Sequence, residues 1–152
     1  MPFRTALILG CALLWAPLLW ADSQGLIAVK SPHSVTATLD KLEAVLKDKG
    51  MTVFTRIDHT AGAEKAGLEL PPTAVLIFGN PKVGTPLMQC ARQVAIDLPQ
   101  KALAWQDDDG QVWLTYNDPH YLAERHAIDG CDEVLGKVAA ALENFAKAAT
   151  AE

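Results

Sequence analysis

The sequence predicts an α+β domain in which helices pack on one face of a mostly antiparallel, five-stranded sheet. Three observations carry this expectation. Apolar periodicity alternates along the chain in the order strand, helix, strand, minor helix, strand, helix, hairpin, helix. Asp107-Asp108-Asp109-Gly110 separates two strand-like runs, and its Asp-Gly pair is the strongest hairpin signal in the chain. The segment after Ser34 sets Val35, Leu39, Leu42 and Leu46 on one helical face and a row of charges on the other.

Each element can be justified in turn. Gly25 to Lys30 reads as a short strand ended by Ser31-Pro32. Ser34 is a suitable N-cap for the first helix and Gly50 a suitable stop. Met51 to Ile57 alternates as a half-buried strand should, with Val53, Thr55 and Ile57 opposite Thr52, Phe54 and Arg56. Thr60 to Gly67 holds one or two helical turns before Pro71-Pro72 forces the chain to extend. Ala74 to Phe78 is apolar throughout, which predicts a strand covered on both faces or central in its sheet. Gly79-Asn80-Pro81 ends it.

Thr85-Pro86 has the form of a cap and first turn for a second long helix. Its expected buried stripe is Leu87, Cys90, Ala91, Val94 and Leu98, and Pro99 stops it. Lys101 to Gln106 and Gln111 to Tyr116 are the hairpin strands. Asp118-Pro119 opens a short helix through His126, and Gly130 separates it from a last helix with the stripe Leu135, Val138, Leu142 and Phe145. Residues 25–147 form a single expected domain, and residues 148–152 are expected to fray.

Length and charge bound the function. The chain has 152 residues, 50% hydrophobic and 20% charged, which is the size and composition of one globular domain. Residues 1–21 read as a secretory signal: Arg4 precedes an apolar run rich in Leu and Ala, and cleavage fits best after Ala21. A membrane span needs about twenty apolar residues, and Pro17 shortens this stretch, so no stable anchor is expected after cleavage. Losing Arg4 leaves 12 basic and 18 acidic residues, a net charge of −6. A surface of that sign lacks the basic patch that binds nucleic acid. A periplasmic or secreted location follows.

Three cysteines are present, and Cys11 leaves with the signal. Cys90 and Cys131 form an even pair in an oxidising compartment. A structural disulfide is favoured over two buried thiols or a redox pair, because no Cys-x-x-Cys spacing occurs.

No catalytic signature stands out. Gly-x-Ser-x-Gly, Walker and dinucleotide motifs are missing, and no two of His33, His59, His120 and His126 are spaced i, i+4 on a helix. The three acids at Asp107–Asp109 lack the ligand spacing and closing Glu of a calcium loop. No metal site and no cofactor is expected. His59 leaves a strand end in a loop and is a candidate acid or base. Asn80 and Lys82 flank Pro81 in a tight turn, where an amide and an ammonium could hold an anion. Asn117 ends the hairpin, and Arg125 could meet a ligand or pair with an acid.

Several short motifs recur in a fixed order: Arg56-Ile57-Asp58-His59, Phe78-Gly79-Asn80-Pro81, Leu87-Met88-Gln89, Asp97-Leu98-Pro99, Tyr116-Asn117-Asp118-Pro119, and Leu122 with Arg125-His126. As a set they resemble the bacterial and archaeal domain of unknown function 302 family, over roughly Leu26 to Phe145. The resemblance implies a TATA-binding-protein-like arrangement of strand, helix, four strands, helix, here with an extra helix between the third and fourth strands. It implies no established activity. It does not bring DNA binding with it, because an acidic exported domain lacks the charge.

The leading functional expectation is therefore a non-catalytic exported module that binds a small molecule or a protein, with a homodimer through the sheet as one form. The alternatives are an enzyme using His59 with Asn80, Lys82 and Asn117 around an anionic substrate, and metal or haem binding through a histidine. If the second and third strands are antiparallel neighbours, His59 and Asn80 leave opposite ends of the sheet and cannot share a pocket.

Overall fold

A computed structural model describes residues 25–152; the leader at 1–21, with Cys11, lies outside the described residues. The five strands are β1 (Leu26–Ser31), β2 (Thr52–Asp58), β3 (Thr73–Gly79), β4 (Gln100–Gln106) and β5 (Val112–Asn117). They form one sheet in the order β1-β5-β4-β3-β2, antiparallel at each pairing. The helices are α1 (Val35–Asp48), α2 (His59–Lys65), α3 (Pro81–Cys90), α4 (Pro119–Arg125) and α5 (Asp132–Ala149), with a 3-10 turn over Arg92–Ile96. The expected α+β architecture is present.

One face of the sheet carries the core. Ala74, Leu76 and Phe78 of β3, Ala102 and Ala104 of β4, and Val112, Leu114 and Tyr116 of β5 are buried. They meet Leu39, Leu42 and Leu46 of α1 and Leu135, Val138 and Leu142 of α5 in one cluster. Ser34 caps α1 as expected, its hydroxyl accepting the Ala37 amide at 3.2 Å. The turn into α1 is fixed by a buried hydroxyl pair, Ser31 Oγ to Thr38 Oγ1 at 2.7 Å. Such a pair satisfies both groups where water cannot reach.

Among the described residues, the core cluster lies on this one face of the sheet. Val75 and Ile77 of β3, Leu103 of β4 and the Trp105–Trp113 pair, opposite each other in register, point to the other face and are half-buried. This corrects the expectation for β3. Its apolar run does mark an interior strand, between β2 and β4, but β4 is central and only one face of β3 is fully buried.

Three further expectations are corrected. In β2 the pairing register shifts between Val53 and Thr55, so Val53 and Arg56 face the helices while Phe54 is displaced outward and 54% exposed. A bulge of this kind inserts one residue and breaks simple alternation. The second long helix starts earlier and ends sooner than Thr85-Pro86 predicts. Asn80 caps it, accepting the Lys82 amide at 2.9 Å, with Pro81 in the first turn. Pro86 falls inside this helix, and the chain becomes extended at Ala91 before the 3-10 turn. Lastly, α5 continues through Ala149, into the residues expected to fray. Ala149 is 0% exposed, and the Ala151 carbonyl accepts from Lys41 Nζ at 2.6 Å and is 2.7 Å from His33 Nε2. Small alanines let α5 lie close against α1 to its last turn.

Candidate functional site

Antiparallel order gathers the C-terminal end of β3 and the N-terminal ends of β2 and β4 at one end of the sheet. There α3 and α5 stand apart enough to leave a cavity of about 510 Å³. Its walls are Leu87 and Met88 from α3, Val138, Leu142 and Phe145 from α5, and Met51 and Phe54 from the β2 side. Leu98 and Pro99 supply a further wall as the chain returns into β4. The displaced Phe54 is explained locally by the bulge, which turns its ring to this cavity. A cavity of this size and apolar lining matches the usual dimensions of a small-molecule site.

One residue of the lining carries a buried polar atom without a hydrogen-bond partner. Gln100, at the first position of β4, is in phase with the core-facing Ala102 and Ala104 and is 8% exposed. Its Oε1 is fully buried and accepts no hydrogen bond. Leaving a buried acceptor without a donor costs about 1–3 kcal/mol. Two other polar side chains of the lining are already engaged. Asn80 spends its oxygen on the α3 cap and its Nδ2 reaches the Gly50 carbonyl at 3.4 Å. Lys137 Nζ pairs with Glu133 at 2.6 Å on exposed α5, and this ammonium holds the Glu133 carboxyl below its ordinary value.

The two helical walls are tied covalently. Cys90 at the end of α3 and Cys131 just before α5 form a disulfide with a Cα–Cα distance of 6.5 Å. Below the cavity, the segment leading to Gln100 is also held. Asp97 pairs with Arg125, the last residue of α4, and with His126 just after it, and Lys101 Nζ donates to the carbonyls of Asp97 and Pro99 at 3.2 and 3.1 Å.

The family model described as "Domain of unknown function DUF302" matches residues 27–145. The chain belongs to this family. A crystal structure of an uncharacterized conserved DUF302 protein from Bacillus stearothermophilus superposes with a TM-score of 0.67. It is 22% identical and covers 84% of this chain and 97% of its own, which establishes the shared fold. Curated relatives include a protein named fluoride-specific ion channel FluC 1 from Brucella suis, 53% identical over 123 residues, or 81% of this chain and 48% of that protein. FluC 1 of Brucella abortus matches at the same identity over 46% of its length. The chain thus spans about half the length of the curated relatives it matches.

Within this DUF302 domain the residues singled out from sequence are scattered. His59 begins α2 at the far end of the sheet, after Asp58, which caps that helix by accepting the Ala61 amide at 2.9 Å. Asp58 faces Ala74 in β3 while Thr52 faces Gly79, so His59 and Asn80 lie a full strand apart, roughly 20 Å. The geometry therefore does not assemble one pocket from His59 and Asn80. Asn117 faces Leu26 at the other side of the sheet, and Lys82 is exposed on α3. Arg125 pairs with Asp97 at 3.4 Å. Among the described residues, no three His, Cys, Asp or Glu side chains are grouped to hold a metal ion.

Of the predicted residues only Asn80 lines the cavity. Gln100, Phe54 and Lys137 were not anticipated. Gln100 left a signal: it is a polar residue at a position whose i+2 and i+4 neighbours face the core. A second cleft, about 410 Å³, lies beside Arg56, Asp58 and Thr60. Its guanidinium is already engaged by Asp40 at 2.6 Å and by the Thr36 carbonyl at 3.0 Å.

Proposed function

We propose that this DUF302 protein is an exported binding module whose ligand is a small, predominantly apolar molecule held between α3, α5 and the adjoining strand ends. The observation that carries this reading is the apolar cavity between α3, α5 and the strand ends. Export rests on the leader-like residues 1–21, and its check is the mass of the protein recovered from cells, which should begin at Asp22.

The binding reading is tested by thermal shift with apolar probes, using Ala141→Trp to fill the space. A ligand at a hundred times its Kd stabilises the fold by about 2.7 kcal/mol. For a domain of this size that raises Tm by roughly 5 °C or more. The native protein should show the rise and the filled variant should not. An equal rise in the variant, or no rise with any probe, sinks the reading.

A second reading follows from the curated relatives, whose names mark them as fluoride channels and whose match to this domain covers only half of them. None of the described helices is long and apolar enough to cross a membrane. On this reading the domain is an accessory that works beside such a channel. Tagged domain should then retain a separately expressed FluC channel through detergent purification, and failure to do so at micromolar concentrations counts against it.

A further inference from the structure

We infer that the cavity ligand is a single-chain amphiphile with an anionic head, its chain lying between α3 and α5 and its head meeting the Lys137 ammonium at the rim. The inference rests on the binding reading above and deepens it. Two independent observations carry it. The walls formed by Leu87, Met88, Leu98, Leu142 and Phe145 are hydrocarbon and thioether, so an ion among them would be strongly penalised and any charge on a ligand must stay at the rim. Among the described residues, Lys137 is the one charged side chain in the lining, and its charge is positive.

The placement of Lys137 follows from its helix. Lys137, Ala141 and Phe145 stand four residues apart on α5, so they form one row along the cavity. A lysine in such a row lays its methylene stem on apolar surface and keeps its ammonium in water, which gives the row a hydrocarbon length and a cationic end. Its present partner is weakly held. Glu133 meets the ammonium at 2.6 Å across an i,i+4 pair in which the lysine and glutamate side chains are 73% and 82% exposed. Exposed pairs of this kind contribute little, so an incoming anionic head displaces Glu133 at small cost. Volume limits the tail. At about 30 Å³ for each group of water size, the space of about 510 Å³ takes roughly seventeen groups, which is one acyl chain rather than the two of a diacyl lipid.

The experiment compares three probes of matched chain length on the disulfide-intact protein: decanoate, 1-decanol and decyltrimethylammonium, by calorimetry and thermal shift. Decanoate should bind about threefold more tightly than decanol, the scale of one exposed ion pair, and this preference should shrink as salt rises. The ammonium probe should bind most weakly. Lys137→Met, which keeps the stem and removes the charge, should abolish the preference while retaining decanol binding. Glu133→Gln, which releases the lysine from its partner, should widen it. Equal affinity of the native protein for decanoate and decanol, or a preference that survives Lys137→Met, overturns the role of Lys137 and leaves the cavity as a binding site. Tightest binding of the ammonium probe overturns the anionic class. Failure of all three probes to bind overturns the binding reading itself.

Discussion

His126 Nε2 lies 2.5 Å from Asp97 Oδ2, with the imidazole 7% and the carboxylate 14% exposed. This contact joins the chain just beyond α4 to the 3-10 turn, 29 residues earlier. Asp97 is three residues before Gln100, so the pair fixes the segment that enters the cavity. Removing Asp97 leaves the His126 imidazole buried without this partner. Asp97→Ala should cost about 2 kcal/mol in urea unfolding, in the range of a hydrogen bond to a charged group. A cost indistinguishable from an exposed acid such as Asp129→Ala would show the contact to be incidental.

The Cys90–Cys131 bond closes a loop of 41 residues in sequence separation. Chain-entropy reasoning assigns such a crosslink about 4 kcal/mol. The Cys90→Ser/Cys131→Ser double variant should lose stability on that scale. The native protein should bind no alkylating reagent under denaturing conditions until reductant is added, as intact mass would show.

Residues 148–152 should behave as part of α5. Deleting them removes the fully buried Ala149 and the Ala151 carbonyl that Lys41 and His33 approach. A loss of about 1 kcal/mol is expected from the hydrogen bonds alone. Unchanged urea midpoints after truncation would mean that this last turn adds nothing.

Asp107 makes the hairpin pH-sensitive. The Trp113 indole N–H donates to its Oδ2 at 2.7 Å, and the Gln111 and Asp109 amides donate to Oδ1 at 2.8 and 3.1 Å. These bonds, the indole foremost, hold its carboxyl below the ordinary value of 3.8. A lowered folded-state value means that the stabilisation is complete above the ordinary carboxylate range and is lost as pH falls through the lower one. Trp113 emission should therefore change at a pH below 3.8 in the native protein. Asp107→Asn should abolish that step, and a step at or above the ordinary value would contradict the assignment.

What the sequence revealed was local in origin. Ser34, the stripe Val35–Leu46 and the Asp-Gly turn each act within a few residues, and α1, α5 and the hairpin form as read. The start of α3 was misplaced because two cap-and-proline pairs compete. Asn80-Pro81 prevails over Thr85-Pro86, ending β3 and capping α3 in the same step. The bulge at Phe54 leaves no compositional trace, since a register shift depends on the partner strand. The cavity was hidden for a stronger reason: Met51, Leu87, Gln100 and Phe145 meet only after the sheet order is fixed. Asn80 reached it, but as a helix cap whose polar atoms are already spent.

One sulfur–sulfur bond has a practical bearing on every attempt to find what this protein carries. It fastens one side of the apolar chamber to the other at α3 and α5. Dithiothreitol in a storage buffer therefore changes the vessel under study, because the two sides are then free to part. Ligand surveys run with and without such a reagent interrogate different containers, and hits seen under only one condition are informative about which container accepts the ligand.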